Sequence, residues 1–585
     1  MSTHTPTGEA GGAAPPWVPD EETLTRLANE FFGPMPGHGQ EEAVSLDQPA
    51  DRHETRPSAE ASHYQPPLVG GHPVPPDVPG YQPPDVLSNL HRSASTPGRL
   101  AALAVQAPAL SIPGLPSAAT AAILAVASSH ELDRPLDLPG VSSVGAPSFY
   151  FIDERPAATG WMRACDSPVA VPVDAYPAFQ VEAVRRDFPV LQERIHGRQL
   201  VWLDNGATTQ KPQVVIDRLA YFYSHENSNI HRSAHSLAAR SSDAYEGARA
   251  TVADFLGAPS AGNIVFTRGT TEAINLVAQS FGARNVHQDD EILVSHLEHH
   301  ANIVPWQQLA AKTGARLKVI PVDDDGQLLL DAYGDLLSQR TRIVAVAQVS
   351  NVLGTIVPVK KMIEMAHRVG AAVVVDGAQA VAHMVVDVQE MDADFYVFSG
   401  HKIFAPTGIG ALYGKAELLE EMPPWQGGGN MISDVTFEKT SYQRPPAKFE
   451  AGTGNIADAV GLGTALEYLS RLGRPSIERY EHDLLQYATA EIRSVPGLRL
   501  VGTAPEKASV LTFVLDGYRP EEVGALLDQE AIAVRAGHHC AQPILRRYGL
   551  ESAVRPSLAM YNTYAEVDLL VAALRTLAAN AGNVR

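Results

Sequence analysis

Cysteine, positive charge and unbroken apolar runs are all scarce in this chain. Among 585 residues there are only two cysteines, Cys165 and Cys540. That number excludes a disulfide scaffold and a four-cysteine metal or iron–sulfur site, and it suits a reducing compartment. The 45 Lys+Arg against 66 Asp+Glu leave a net charge of −21. A general polyanion-binding surface is therefore excluded, so no nucleic-acid partner is expected, although a few local arginines can still bind a small anion. The most apolar stretch, residues 100–128, is interrupted by Pro108, Pro113 and Pro116, whereas a membrane span needs about 20 continuous apolar residues. The opening MSTHTPTGEA lacks the basic-then-apolar pattern of a signal peptide. A soluble, cytoplasmic protein without a membrane partner is expected. Histidines are numerous, but neither HExxH nor CxxC frames them, so no metal is expected.

Proline divides the chain. Of 44 prolines, 27 precede residue 181. Runs such as YQPPLVGGHPVPPDVPGYQPPDV (64–86) cannot sustain a helix or a ladder, because proline fixes φ and lacks an N–H. Residues 1–178 are expected to be largely disordered, with two ordered islands. In PDEETLTRLANEFFG, Asp20 can cap a helix that Gly33 ends, and Leu24, Leu27, Ala28, Phe31 and Phe32 share one face. The other is the aromatic patch SFYFIDERP (148–156). Both read either as segments that fold back on the globular part or as tethered docking peptides.

From about 179 the composition becomes globular. Short apolar runs (NIVFT 263–267, EILVS 291–295, RLKVIPV 316–322, RIVAVAQVS 342–350, AAVVVDG 371–377, FYVFSG 395–400) alternate with amphipathic stretches such as VKKMIEMAHRVG. This pattern predicts an α/β fold with a mainly parallel sheet covered on both faces. The large domain is expected over 179–460. A smaller α+β domain is expected over 461–585, with helices at 465–472 and 478–493, strand VLTFVLD, helix EEVGALLDQE, strand AIAVRAG and a closing helix. TGIGALYG (407–414) lacks the full GxGxxG pattern of a dinucleotide loop and is discounted.

Four strand ends carry chemistry. FSGHK puts Lys402 behind small and hydroxyl residues, an expensive place for an ammonium. VVVDGAQA puts Asp376 where α/β sheets hold ligands. TRGTTEA opens a helix with Thr270 and Thr271, whose free N–H groups suit a phosphate. SHLEHHAN presents His299 and His300. A Schiff-base lysine, a carboxylate for a pyridinium nitrogen, a phosphate-binding helix end and a ring to stack are what pyridoxal phosphate (PLP) requires.

The segments LDNGATTQKP (203–212), FTRGTTEAINLVAQS (266–280), EHHANIVPWQ (298–307), VSNVLGTI (349–356), VDGAQAVAH (375–383), DFYVFSGHK (394–402), FEAGT (449–453) and RAGHHCAQP (535–543) closely resemble the group II, SufS-type cysteine desulfurases. The resemblance implies the fold-type I PLP-dependent transferase fold of the class V aminotransferases. It also implies a homodimer with its active sites at the subunit interface, and conversion of L-cysteine to L-alanine with sulfur left on an enzyme cysteine. Residue by residue it implies Lys402 as the Schiff-base lysine, Asp376 on the pyridine nitrogen and Gln379 on the cofactor phenolate. His299 would stack on the ring and shuttle a proton. Thr271, Ser399 and His401 would hold the phosphate, with Thr270 as a further candidate and Thr453 reaching in from the other subunit. Asn351 and Arg555 would fix the substrate carboxylate, Arg535 would stand near the nucleophile loop, and Cys540 would be the nucleophile. Arg535, His538 and His539 would supply positive charge beside the thiol. Gly206 stands where the family usually has alanine.

Ordinary SufS-type enzymes lack the N-terminal region. The architecture resembles cysteine desulfurases packaged as cargo in family 2 encapsulin nanocompartments, with LTRLANEFFGPMPG and SFYFIDERPA as shell-docking motifs. It implies an encapsulin shell partner and storage of the sulfur inside it. Alternatives on the same scaffold are a selenocysteine lyase or cysteine sulfinate desulfinase, and a sulfur donor to an acceptor protein for iron–sulfur assembly outside any shell.

Overall fold

The computed structural model describes residues 179–230 and 235–583. The proline-rich segment, including the expected helix at 20–33 and the patch at 148–156, lies outside the described residues. The central feature is a seven-stranded sheet. Its strands in chain order are β1 (Ile264–Thr267), β2 (Glu291–Ser295), β3 (Arg316–Ile320), β4 (Thr341–Ala347), β5 (Ala372–Asp376), β6 (Phe395–Ser399) and β7 (Gly410–Gly414). The spatial order is β1-β7-β6-β5-β4-β2-β3, and β7 runs antiparallel to both of its neighbours. Pairing from β6 through β3 is parallel.

The strands read as continuous apolar runs because each serves two cores. Along β6, Phe395 and Val397 join one apolar cluster while Tyr396 and Phe398 join the other. Ile343 and Ala345 alternate with Val344 and Val346 in the same way along β4. This is the period-2 alternation of a sheet covered on both sides. One face is covered by α3 (Thr270–Val277) and α4 (Val304–Thr313), with Ile274, Trp306 and Leu309 packed inward. The other carries α1 (Gln213–His225), α2 (Ser236–Leu256), α5 (Val359–His367) and α6 (Ile456–Leu472). The TGIGALYG segment, discounted as a nucleotide loop, supplies β7. A Cβ at Gly410 would stand 2.4 Å from the Phe398 carbonyl oxygen and 2.6 Å from the Gly269 Cα, so glycine permits this close approach.

A second sheet is built from β8 (Leu498–Val501), β9 (Thr512–Leu515), β10 (Arg535–Gly537) and β11 (Ala553–Arg555), in the order β8-β9-β11-β10. Helices α7 (Arg474–Arg493), α8 (Pro520–Gln529) and α9 (Tyr564–Asn583) complete this part. Their inward residues Leu484, Leu527 and Leu570 pack with Phe513, Val554, Val201 and Leu203. The expected boundary after residue 460 falls inside α6, whose Leu462 and Leu466 belong to the large-domain core. The segment expected as one strand, AIAVRAG, divides. Ile532 and Ala533 pair in parallel with Val201 and Trp202, and only residues 535–537 enter the small sheet. Among the described residues no helix is long and apolar enough to cross a membrane.

One buried ion pair ties α2 to the segment that leads to Thr453. Arg249 meets Glu450 through two bonds, of 2.6 and 2.9 Å, and Glu450 also accepts from the Phe266 N–H at 2.8 Å and the Tyr245 hydroxyl at 3.1 Å. Glu450→Ala would leave a guanidinium that is only 2% exposed with the half-exposed Glu246 carboxylate and the Ile264 carbonyl as its remaining partners. The expected loss of unfolding free energy is about 3–5 kcal/mol, measured by urea denaturation; a loss under about 1 kcal/mol would contradict the structural role of the pair.

Candidate active site

The C-terminal ends of β2, β4, β5 and β6, the start of α3 and the β10–β11 region open on one cavity of about 780 Å3. Every site residue nominated from sequence lines it except Thr453. Thr453 lines a separate cavity of about 430 Å3, beside Tyr245, Phe266 and Trp425. A single protomer does not bring it to the others.

At one end of the cavity, Ser399 closes β6 and its hydroxyl accepts from the Thr270 N–H at 2.9 Å and contacts the Thr270 hydroxyl at 2.8 Å. Gly269, at φ 149°, makes this possible, since a Cβ there would press on the Ser399 hydroxyl at 3.0 Å. The first turn of α3 has N–H groups without intrahelical partners, and Thr271 lies exposed there on the cavity wall. Small residues, hydroxyls and a helix N-terminus form a cradle that fits a phosphate.

The floor is charged. Asp376 ends β5, with one carboxylate oxygen accepting from the Ala378 N–H at 2.9 Å; burial raises its pKa. Lys402 follows β6 by three residues. Burial pushes its amine down to about 8, against the attraction of Asp376. Its turn is anchored through the His401 carbonyl, which accepts from the Thr209 N–H at 2.9 Å and the Thr208 hydroxyl at 2.9 Å. Burial, then Lys402 and Lys211, hold His401 down to about 4. His299 is held down to about 3 by burial, with Lys402 the leading charge. Its Nδ1 accepts from the Ala301 N–H at 3.0 Å, so its proton sits on Nε2. Gln379 donates to the Gly206 carbonyl at 2.6 Å, which commits one of its two amide protons.

The opposite wall binds anions. Arg555 is buried and donates from Nη1 to the Asn351 carbonyl at 2.7 Å, while its Nε and Nη2 make no hydrogen bond. Asp204 lies between the two arginines, 3.5 Å from Arg555 Nη2 and 3.1 Å from Arg535 Nη2. Two unbonded N–H edges on a guanidinium fit a carboxylate. Asn351 spends its amide on the nucleophile loop, donating to the His539 carbonyl at 2.7 Å. A Cβ at Gly206 would stand 3.2 Å from the Arg555 guanidinium, so glycine here leaves slightly more room around it than alanine would.

Cys540 stands on the same cavity with His539, both in left-handed backbone at φ 54° and 53°. The positive charge expected from His539 is absent, because burial and Arg555 hold its pKa down to about 3. Lys402, Arg535 and Arg555 line the same cavity as the thiol. Sequence reasoning did not single out Asp204, Thr208, Thr209 or Glu298. Asp204 and both threonines lie inside the LDNGATTQKP motif. Glu298 precedes His299 and is fully buried, accepting from Asn302 at 2.6 Å and from the Ala347 N–H at 3.1 Å. Burial pushes its carboxyl up to about 7.

The mixed sheet with its ligand groups at strand ends defines a fold-type I transferase, and the model of the class-V aminotransferases matches residues 201–570. The chain belongs to that family and, within it, to the cysteine desulfurases. It is 62% identical over 449 residues to a cysteine desulfurase of Synechococcus elongatus, covering 74% of this chain and 72% of that one. A probable cysteine desulfurase of Mycolicibacterium paratuberculosis is 63% identical, and the match spans 60% of its length. A probable cysteine desulfurase of Vibrio cholerae is 50% identical, with 97% of it covered. Among solved structures, the cysteine desulfurase CsdA of Escherichia coli superposes with a TM-score of 0.64 at 41% identity, covering 70% of this chain and all of that one. PLP is the cofactor of this family, and the residues fit it: an amine for its aldehyde, a buried carboxylate for its ring nitrogen and a cradle for its phosphate.

The depressed Lys402 pKa has a stability consequence without cofactor. The folded value, about 8, lies below the unfolded value near 10.5, so the folded state disfavours the ammonium. Below pH 8 the full cost, about 3 kcal/mol, is present, and it is relieved as pH rises from 8 towards 10.5. Cofactor-free Lys402→Met should therefore be more stable than cofactor-free wild type at pH 7, with the gap closing by pH 10. Equal stabilities at pH 7 in denaturant titrations would contradict the burial of an ammonium.

Proposed function

We propose that this chain converts L-cysteine to L-alanine and leaves the sulfur as a persulfide on Cys540. The observation that carries this reading is that Lys402 and Cys540 line one cavity with Asp376 and a buried Arg555 whose Nε and Nη2 make no hydrogen bond. Bound PLP supplies an electron sink for charge developing at the substrate α-carbon, and Lys402, Asp376, Ser399 and the start of α3 would hold it. Arg555 takes the substrate carboxylate, and Asp204 orients the guanidinium. The Lys402 amine, neutral in a large fraction near pH 8, accepts the α-proton. The Cys540 sulfur attacks the substrate sulfur. The S–S bond forms as the substrate Cβ–S bond breaks, and proton delivery to Cβ completes alanine. The His299 Nε2–H is placed to move a proton at the substrate. Balance is kept without an outside oxidant: one thiol and one cysteine give one persulfide and one alanine.

Two chains pair in this reading, with Thr453 serving the partner's site, and its place outside the protomer's own cavity supports that arrangement. Residues 1–178 load the enzyme into an encapsulin shell in the cytoplasm, where the sulfur is stored. Their length and proline content support a tether, since the desulfurase fold is complete without them.

Cys540→Ser should keep the cofactor absorbance and lose sulfide release from cysteine by at least a hundred-fold (about 3 kcal/mol at the barrier). Sulfide release at the wild-type rate by this variant would refute the nucleophile. A chain lacking residues 1–178 should keep its kcat/KM for cysteine within about two-fold and cease to co-purify with a shell protein, a difference of less than 0.5 kcal/mol in catalysis. Continued packaging of the shortened chain would overturn the tether.

A further inference from the structure

We propose that His300 is a positioning residue for the Cys540 thiol: its main chain and its ring together clamp the loop that carries the nucleophile. This rests on Cys540 being the sulfur acceptor. The His300 N–H donates to the Cys540 carbonyl at 2.8 Å, and the Gln542 N–H donates to His300 Nε2 at 3.3 Å. One residue of the large domain thus grips the loop at the cysteine and again two residues beyond it.

The loop needs such a grip. His539 and Cys540 both have positive φ, a region in which a Cβ crowds the following carbonyl and which non-glycine residues seldom occupy in succession. Contacts within the small domain only begin to fix it. His538 Nδ1 accepts from the Cys540 N–H at 3.0 Å, and His539 Nε2 donates to the Ala553 carbonyl at 2.9 Å. The link across to the large domain comes from Asn351, which takes the His539 carbonyl, and from His300, which takes the two positions on the other side of the turn. The His300 ring also stacks on His538, with centroids 5.8 Å apart and planes at 25°.

The ring of His300 does not line the active-site cavity, unlike that of its neighbour His299. Its effect on sulfur transfer must therefore be indirect. Glu298 anchors the same short segment to Ala347 at the end of β4, which pairs directly with Asp376. A single turn, residues 298–300, therefore fixes a carboxyl beneath the cofactor floor, a ring on the cavity wall and the loop that aims the thiol. The distance between the thiol and the substrate sulfur is set by the large domain through His300.

The ring nitrogen acts as an acceptor, so the conservative replacement is glutamine, whose amide oxygen reaches about where Nε2 lies. Asparagine is too short to reach the Gln542 N–H, and alanine has no acceptor. The test uses full-length, cofactor-loaded enzyme with His300→Ala, His300→Asn and His300→Gln. Three quantities are followed: the absorbance change on adding L-cysteine, the rate of protein persulfide formation in rapid-quench samples, and kcat with KM. Alanine and asparagine should leave KM and the absorbance change within about two-fold of wild type. They should slow persulfide formation and kcat by ten-fold or more, as expected for a misplaced nucleophile. Glutamine should recover both to within about three-fold.

A wild-type persulfide rate in the alanine variant would overturn the proposal. So would a glutamine variant as slow as alanine, or a parallel loss of substrate-induced absorbance and persulfide formation, which would mark general damage. If alanine fails to hold the cofactor, the contrast between asparagine and glutamine decides. Cys540→Ser in the same series separates the two readings, since sulfide release at the wild-type rate by that variant would refute the nucleophile itself, whatever His300 does.

Discussion

Chemistry at this site depends on keeping an amine at the end of a buried strand, where water cannot stabilise its charge. Desolvation lowers Lys402 to about 8, although Asp376 pulls the other way. An amine placed in water would stay protonated near neutral pH and could neither form a Schiff base readily nor accept a proton. The cost is borne by the large domain. Phe395, Val397 and Phe398 bury the strand that ends beside Lys402, and the Thr208 and Thr209 contacts fix the His401 carbonyl before it. Sheet burial and amine reactivity are therefore one constraint seen from two sides.

The same burial governs the other ionisable groups. His299 and His539 are driven to the neutral form, so positive charge in the cavity is left to Lys402 and the two arginines. Asp204 stands between Arg535 and Arg555, 3.1 and 3.5 Å from their Nη2 atoms, and its carboxylate offsets the repulsion between the two guanidiniums. An electropositive pocket in a chain of net charge −21 illustrates how weakly the overall charge constrains a site. A small carboxylate meets only the groups within a few ångströms, because longer-range charges are screened.

Much of this was legible because most of the strands are short and apolar through their middles, with polar residues at the ends. EILVS coincides with β2, and the ends that carry Asp376 and Lys402 could be located from pattern alone. Strand β7 was missed because glycines at both of its ends depress strand propensity. Gly410 closely approaches Phe398 and Gly269, and Gly414 the Leu419 side chain, contacts that no local pattern encodes. AIAVRAG was read as one strand because its apolar run is continuous, yet tertiary pairing with Val201 and Trp202 captures its first half. The boundary near 460 failed for a similar reason. Helix α6 is apolar on most sides, and sequence does not say that it packs on α1 and α2. At the site, residue types with a fixed chemistry (lysine, aspartate, cysteine) could be nominated, whereas Asp204, Glu298 and the threonines act through partners that are distant in sequence.

The division of labour between the domains follows from these contacts. The large domain supplies the hydroxyl-lined cradle, the Lys402 amine and His299 at or just beyond strand ends. The small domain supplies Arg535, Cys540 and Arg555 on neighbouring antiparallel strands and the loop between them. Catalysis requires the two sets to meet at sub-ångström tolerance, and the large-domain core takes in Ala541, Ile544, Leu545 and Ala553 from the small domain. Polar contacts add direction to that packing: Arg555 to the Asn351 carbonyl, Asn351 to the His539 carbonyl, and the His300 main chain to the Cys540 carbonyl. Each of these contacts involves a backbone carbonyl, whose position is less free than that of a long side chain. Hydrogen bonds to the main chain thus add to shared apolar packing the directional restraint that holds the Cys540 thiol and the Lys402 amine on one cavity.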